Sequence, residues 1–389
     1  MDIRINPHKL LGTVTPPPSK SMSHRVMLAQ MLCEKPEDIM NLGDSQDIRA
    51  TGRCLEALKG NRGEELPLLD CGESGSTLRF LIPVALAVSR GARFTGHGRL
   101  MERPQKPYFD LFEEKGIHYS LKENILTVQG ELKAGVYSLP GNVSSQFVTG
   151  LLYALPMLEG HSEIRMTSPL ESTGYVDMTL DTLKQFGIQV ENQRYEVFLV
   201  PGGQTYQGRK LTVETDWSQA AFWYAAAFLN NPVKINGLRE DSLQGDRVIA
   251  QFYHSMKNAG ELEVDVSECP DLLPALAVMA AARSGRTNFV NAARLRMKES
   301  DRLTTTAALL HSLSVQAEEQ SEALVVDGGS PLCGGTVDGA NDHRIVMAAA
   351  VAATVCTTPV TILGAEAVNK SYPRFWEDYK ALGGDICVL

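Results

Sequence analysis

The feature that most restricts how this chain can fold is a local pattern that keeps returning. A helical apolar run ends at Gly or a similar residue, and a short alternating segment follows. Residues 54–60 carry the end of one such run. Leu111-Phe112-Glu113-Glu114-Lys115-Gly116-Ile117-His118-Tyr119 is a fuller copy, and Leu183-Lys184-Gln185-Phe186-Gly187-Ile188-Gln189-Val190 is the clearest. Weaker copies lie at 256–263, 309–317 and 379–388. Six copies at roughly 50- to 75-residue spacing are the signature of a repeated supersecondary unit. Gly at this place suits a left-handed helix C-cap, and the alternation after it suits a strand with one wet face. Such junctions also occur singly in unrelated folds, so the repeat rests on the number of copies.

Strands come as close pairs around polar turns. Residues 117–121 and 125–129 flank Lys122-Glu123-Asn124, and 188–191 and 197–200 flank a similar turn. Helix, strand, turn, strand, repeated six times, predicts an α+β chain with three units per domain. The chain's 389 residues exceed what one core usually supports, which also points to two domains. Segments 80–88, 147–157, 220–229, 272–282 and 345–354 are apolar nearly all round. Helices of that kind are buried rather than surface-amphipathic, and five of them require at least two sizeable cores.

Several classes drop out. No apolar run reaches the roughly 18 residues needed to cross a bilayer. Met1-Asp2-Ile3-Arg4-Ile5 lacks an apolar signal core, which argues against export. A formal charge of −9 without a basic block argues against general nucleic-acid binding. The seven Cys are odd in number and form no CxxC pair, so zinc and disulfide frameworks lose support and a reducing cytoplasm fits best.

The conspicuous polar residues sit where helices begin. Pro18-Ser19-Lys20-Ser21-Met22-Ser23-His24-Arg25 precedes an apolar helix expected at 26–33, and helix starts attract anions. Cys71-Gly72-Glu73-Ser74-Gly75-Ser76-Thr77-Leu78-Arg79 adds two Gly, several hydroxyls and Arg79; its spacing is not that of a P-loop. Gly141-Asn142-Val143-Ser144-Ser145-Gln146 offers two hydroxyls and an amide, where capping accounts for only one Ser. In Arg296-Met297-Lys298-Glu299-Ser300-Asp301-Arg302 a solvated helix face is the ordinary reading, with Lys298 and Arg302 on one face if helical. Asn341-Asp342-His343-Arg344 opens a buried helix, and Lys370 lies near another start. An acidic chain thus places Lys20, Arg25, Arg79, Arg103, Lys298, Arg302, Arg344 and Lys370 at loop-to-element junctions. Several small carboxylates or phosphates bound together would justify that cluster, with Asp271 and Glu299 as acid–base groups within it.

These motifs, in this order, resemble the 5-enolpyruvylshikimate-3-phosphate (EPSP) synthase family of enolpyruvyl transferases, the 3-phosphoshikimate 1-carboxyvinyltransferases. PSKSMSHR, GESGSTLR, ERPQKP, SSQFVTGLL, STGYVDMTL, PDLLPALAVMAA, RMKESDRL, NDHRIVMAA and NKSYP span essentially the whole chain. The resemblance implies an α+β, two-domain enolpyruvyl transferase fold (an inside-out α/β barrel). It has six βαβαββ repeats, three per domain, with helices inside and sheets outside. Residues 1–16 with 217–389 would form one domain and 17–216 the other, with the active site in the interdomain cleft. The implied reaction carries the enolpyruvyl group of phosphoenolpyruvate to the 5-hydroxyl of shikimate 3-phosphate, in chorismate and aromatic amino acid biosynthesis, a pathway whose enzyme here is the glyphosate target. No cofactor and no metal are implied, and a monomeric, cytoplasmic, free-standing enzyme is the expectation, with small molecules as its only partners.

Roles carry over by position. Asp271 matches the base at the 5-hydroxyl, Glu299 the carboxylate at the phosphoenolpyruvate methylene, and Lys20 an acid–base group touching both substrates. Arg103, Arg302, Arg344 and Lys370, with Gly75 and Gln146, match the phosphoenolpyruvate site. Lys20, Ser21, Arg25, Ser144, Ser145, Gln146, Ser172, Tyr175, Asp271 and Lys298 match the shikimate 3-phosphate site. Glu73 and Arg294 depart from the family pattern, which has Asn in many members at the first position and in some at the second. Two rivals are a UDP-N-acetylglucosamine 1-carboxyvinyltransferase and a non-catalytic anion-binding relative. The first would carry Lys-Asn in place of Lys20-Ser21 and a loop Cys, and residues 97–107 contain no Cys. The second would lack Asp271, Glu299 or Lys20.

Overall fold

A computed structural model describes residues 1–60 and 65–389. They divide into two compact units, a terminal unit of Met1–Ser19 with Glu214–Leu389 and a central unit of Lys20–Val213. Each has its own hydrophobic core, and the two cores share no residue, which is the physical mark of separate domains.

In the central unit two complete βαβαββ repeats are present. The first runs through strand Leu68–Asp70, helix Gly75–Ser89, strand Gly91–Thr95, helix Lys106–Lys115 and the hairpin His118–Lys122 and Ile125–Gln129. The second runs from Val136–Leu139 through helices Ser145–Ala154 and Thr173–Gln185 to Val197–Val200. Each sheet joins a parallel pair to an antiparallel hairpin. A third repeat is reduced to helices Lys20–Met31 and Gln46–Gly60 with one parallel pair, Ile39–Met40 and Leu211–Thr212.

The terminal unit follows the same plan. One complete repeat spans Leu262–Asp265 to Leu324–Gly328. Another begins at Thr336–Asp338 and is completed by the N-terminal strand Ile3–Asn6, which lies between Val360–Leu363 and Asp385–Val388. The reduced repeat holds helices Trp217–Phe228 and Ile249–Ser255 with the parallel pair Gly12–Val14 and Val233–Ile235. The six-fold pattern is therefore present, with four full sheets and two short ones among the described residues.

The all-apolar segments lie inside. Every residue of helix His343–Ala353 is buried, as is nearly all of Leu273–Ala282. Their starts, rather than their flanks, are what each unit can offer to a ligand.

Local details refine the sequence reading. Gly116 is a left-handed C-cap at φ 69° and returns its N–H to Phe112; in the 309–317 copy Ser314 takes that conformation instead. Glu123 and Asn124 both adopt positive φ and close a two-residue hairpin. The expected strand at 188–191 begins only at Glu191. Gln204 explains the delay: its amide brackets the Gln189 backbone, accepting from N–H and donating to C=O. The helix expected at 26–33 spans Lys20–Met31.

Candidate active site

In the terminal unit the charges converge on one carboxylate. Asp271 sits in the 3-10 turn Pro270–Leu272, at the mouth of the buried helix Leu273–Ala282. Arg302 donates to its Oδ1 at 2.7 Å and Arg344 to its Oδ2 at 3.0 Å. The Lys298 ammonium stands 3.2 Å from Oδ1. Arg344 also donates to the Asp271 carbonyl. Lys298 and Arg302 do not share a helix face as the sequence suggested. Lys298 is extended after the 3-10 turn Ala293–Met297, and the helix starts only at Arg302. The break lets both cations reach the same oxygen.

Arg302 is the hub. Its Nε donates to Asp342 Oδ2 at 2.8 Å and its Nη2 to Glu299 Oε2 at 2.6 Å. Burial alone would lower its pKa, but Asp342, Glu299 and Asp271 outweigh that and hold it above the usual arginine range. Asp342 does two jobs: it caps the helix His343–Ala353 by accepting from the Arg344 N–H, and it accepts from Ser300. Burial pushes its pKa up, yet Arg302 and His343 bring it below the usual carboxylate range. Lys370 ends a 3-10 turn and donates to the Asn341 carbonyl at 2.6 Å. Arg294 donates to the Ser267 carbonyl.

The central unit builds a second cluster on helix starts. Lys20 opens helix Lys20–Met31 and pairs with Asp47 at 2.8 Å. Ser74 caps helix Gly75–Ser89, and the Arg103 guanidinium lies against Gly75 so closely that a Cβ there would come within 2.8 Å of Nη1. A side chain at Gly75 would have to push that guanidinium aside. Gln146 accepts from Arg79 at 2.8 Å and donates to Ser76 at 3.0 Å. Ser144 caps the helix that starts at Ser145. Ser172 precedes helix Thr173–Gln185 in a left-handed conformation, φ 58°, a strained state for Ser that functional sites often retain. Arg25 is buried and donates to Thr179 Oγ1 and to the carbonyls of Ser21 and Tyr175. Burial brings its pKa down to about 10, so it stays charged near neutral pH.

Of the residues singled out in the sequence, Lys20, Ser21, Arg25, Gly75, Arg103, Ser144, Ser145, Gln146, Ser172 and Tyr175 fall in the central unit. Asp271, Lys298, Glu299, Arg302, Arg344 and Lys370 fall in the terminal unit. Glu73 is half-buried in the loop before Gly75. Asp47 and Asp342 escaped the sequence reading as site residues. Each is a lone Asp at a helix start, where capping and dipole complementarity already account for it. Two chemistries thus stand ready: oriented cations for anionic groups, and carboxylates for proton transfer.

The family model described as EPSP synthase (3-phosphoshikimate 1-carboxyvinyltransferase) matches residues 5–379. The chain belongs to the EPSP synthase family. Curated relatives named 3-phosphoshikimate 1-carboxyvinyltransferase include those of Clostridium acetobutylicum, 45% identical, and Clostridium kluyveri, 43% identical. Both alignments cover 99% of this chain and 98% of the relative. Among solved structures, an EPSP synthase from Acinetobacter baumannii matches with TM-score 0.79 at 23% identity, covering 99% of each chain. The enolpyruvyl transferase NikO from Streptomyces tendae matches with TM-score 0.79 at 17% identity, covering 99% of this chain and 98% of that one. These two establish the fold, and it is the two-domain α+β fold of EPSP synthase and other enolpyruvyl transferases.

Proposed function

We infer that this chain is an enzyme that transfers the enolpyruvyl group of phosphoenolpyruvate to the 5-hydroxyl of shikimate 3-phosphate, as its curated relatives' name describes. Oxygen 5 attacks C2 while C3 gains a proton, giving a tetrahedral ketal phosphate. Loss of a proton from the C3 methyl and of inorganic phosphate then yields the enolpyruvyl ether. The observation that carries this reading is the Asp271 carboxylate gripped by Arg302, Arg344 and Lys298.

Asp271 takes the hydroxyl proton, Glu299 serves C3, and Lys20, touching both substrates, is a further acid–base group. Lys20, Arg103, Arg302, Arg344 and Lys370, with Gly75 and Gln146, bind phosphoenolpyruvate. Lys20, Ser21, Arg25, Ser144, Ser145, Gln146, Ser172, Tyr175 and Lys298, with Asp271, bind shikimate 3-phosphate. The two substrates together carry about five to six negative charges near neutral pH. Bringing them to reaction distance costs several kcal/mol unless fixed cations offset the repulsion. The same cations stabilise charge that develops in the transition state. We place the enzyme in the cytoplasm as a monomer; no described helix is long and apolar enough to cross a membrane.

The test is phosphate release from purified protein, with each substrate omitted in turn. Release that needs both, with an enolpyruvyl ether product by mass spectrometry, supports the reading. Clean binding of shikimate 3-phosphate without release would reject it in favour of a non-catalytic relative.

A further inference from the structure

One residue of the first motif has no part in the reaction above. His24 is 1% exposed, and its Nδ1 lies 2.7 Å from Thr51 Oγ1. Thr51 Oγ1 lies 2.6 Å from Thr77 Oγ1, and Thr77 Oγ1 2.7 Å from Ser74 Oγ. All four residues are buried. The chain of hydrogen bonds crosses three helices, Lys20–Met31, Gln46–Gly60 and Gly75–Ser89. In each, its member stands a turn or less inside the start that carries a charged or anion-facing residue. His24 is four residues after Lys20, Thr51 four after Asp47, and Thr77 two after Gly75.

We propose that His24 is a positioning residue for phosphoenolpyruvate binding, locking the helix starts of Lys20, Asp47 and Gly75 in register through Thr51, Thr77 and Ser74. The proposal rests on the function inferred above. Apolar burial between helices is non-directional, whereas these bonds are short and directional. Register matters here because Gly75 receives the Arg103 guanidinium and Lys20 pairs with Asp47. Displacement of a binding group by about 1 Å can cost about 100-fold in rate. The chain is also steady with pH: burial, then Lys20 and Arg25, hold the His24 pKa well below the ordinary histidine range, so the imidazole stays neutral. His24 packs edge-on against Phe80 on the third helix, so an apolar side chain could occupy its place without restoring the link.

The contrast between His24→Leu and His24→Asn tests this. Asn keeps a polar atom near the Nδ1 position, while Leu keeps the apolar bulk. We expect His24→Leu to raise the KM for phosphoenolpyruvate about tenfold or more, the scale of one lost positioning contact, and to raise the KM for shikimate 3-phosphate by less, since Lys20, Ser21 and Arg25 lie on the same helix as His24. His24→Asn should recover most of that loss. Thr77→Val, which cuts the chain at the other end, should match His24→Leu, and the double variant should be no worse than either single one, since members of one network are not additive. Hydrogen exchange supplies a readout that needs no turnover: the Thr77 amide, which donates to Ser74 Oγ, should exchange faster in His24→Leu than in the wild type or His24→Asn. If His24→Leu keeps normal KM values and normal exchange at Thr77, or if Asn is as damaging as Leu, the chain has no positioning role. A wild-type protein without enolpyruvyl transfer would sink the inferred reaction, and the exchange comparison would still decide the role of His24.

Discussion

Arg302 in the terminal unit and Arg25 in the central unit are almost equally buried, at 1% and 2% exposure. Their partners differ in kind. Arg302 donates to the carboxylates of Asp342, Glu299 and Asp271, and its pKa rises. Arg25 donates to a hydroxyl and two carbonyls beneath the Phe80 ring, and burial lowers its pKa to about 10. The terminal unit has already neutralised its central cation inside the protein. An incoming anion there must share or displace a carboxylate, which couples binding to the groups proposed above for proton transfer. The central unit holds Arg25 with neutral dipoles, so the field of that charge remains for an anion to use. The first arrangement suits chemistry and the second suits capture.

The comparison breaks most visibly at Asp342. Replacing it with Ala leaves Arg302 buried without the carboxylate that meets its Nε. Removing one partner of a buried pair costs about 3–5 kcal/mol. All three Trp, at 217, 223 and 376, lie in the terminal unit, so urea unfolding followed by tryptophan fluorescence reads that unit alone. An unchanged midpoint would mean that Glu299 and Asp271 suffice to hold Arg302. Next in size, Asp271→Asn should lower kcat by about 100-fold or more, the scale of general-base effects, while the terminal unit still unfolds cooperatively. Near-normal turnover would remove Asp271 from the role of base.

How much of this was legible in the sequence depended on periodicity. The five apolar segments announced buried helices because burial on every side leaves a composition that nothing else explains. The hairpin was legible for a similar reason, since polar residues between alternating runs specify a turn, although Lys122, read as part of that turn, belongs to the strand. The delayed strand at Glu191 was not, because the competing partner, Gln204, lies 15 residues away along the chain. The site divided in the same way. Motif order pointed to Asp271, Glu299, Arg302 and Arg344 together, but no spacing could reveal that a break after Lys298 brings it onto Asp271 beside Arg302. Asp47 and the His24–Thr51–Thr77 chain join helices that only tertiary packing brings together.

A second buried carboxylate sharpens the contrast within the terminal unit. Asp246 accepts from Ser218 Oγ, and burial, then Asp271, push its pKa up to about 6, with Arg344 and the Ser218 bond acting against them. Between about pH 4 and 6 the folded protein therefore binds more protons at Asp246 than the unfolded chain. Its contribution to stability is greatest in acid and is lost as pH rises through about 6. Asp342 behaves oppositely, since a lowered pKa gives stability at neutral pH that is lost as pH falls. We expect Asp246→Asn to gain about 2–3 kcal/mol over the wild type on moving from pH 4 to pH 7, by tryptophan-monitored unfolding. A difference that stays flat across that range would place Asp246 at an ordinary carboxylate pKa.

The smallest effect belongs to the central unit, and it tests whether neutral dipoles are the weaker anchor. Thr179→Val removes the hydroxyl that accepts from Arg25 Nε, and with it the bonds of that hydroxyl to Thr149 Oγ1 and the Tyr175 carbonyl, and keeps nearly the same volume. Hydrogen bonds to charged groups are worth about 1.5–3 kcal/mol. Arg25 keeps the Ser21 and Tyr175 carbonyls and the Phe80 face, which places the expected loss near the lower end, about 1.5 kcal/mol. Tryptophan fluorescence does not see this unit, so the change should appear in far-UV circular dichroism while the fluorescence transition stays in place. A loss as large as that of Asp342→Ala would mean that a dipole holds a buried guanidinium as firmly as a carboxylate does. The division between a neutralised catalytic cluster and a charged capture cluster would then fail, because the two units would be anchored alike.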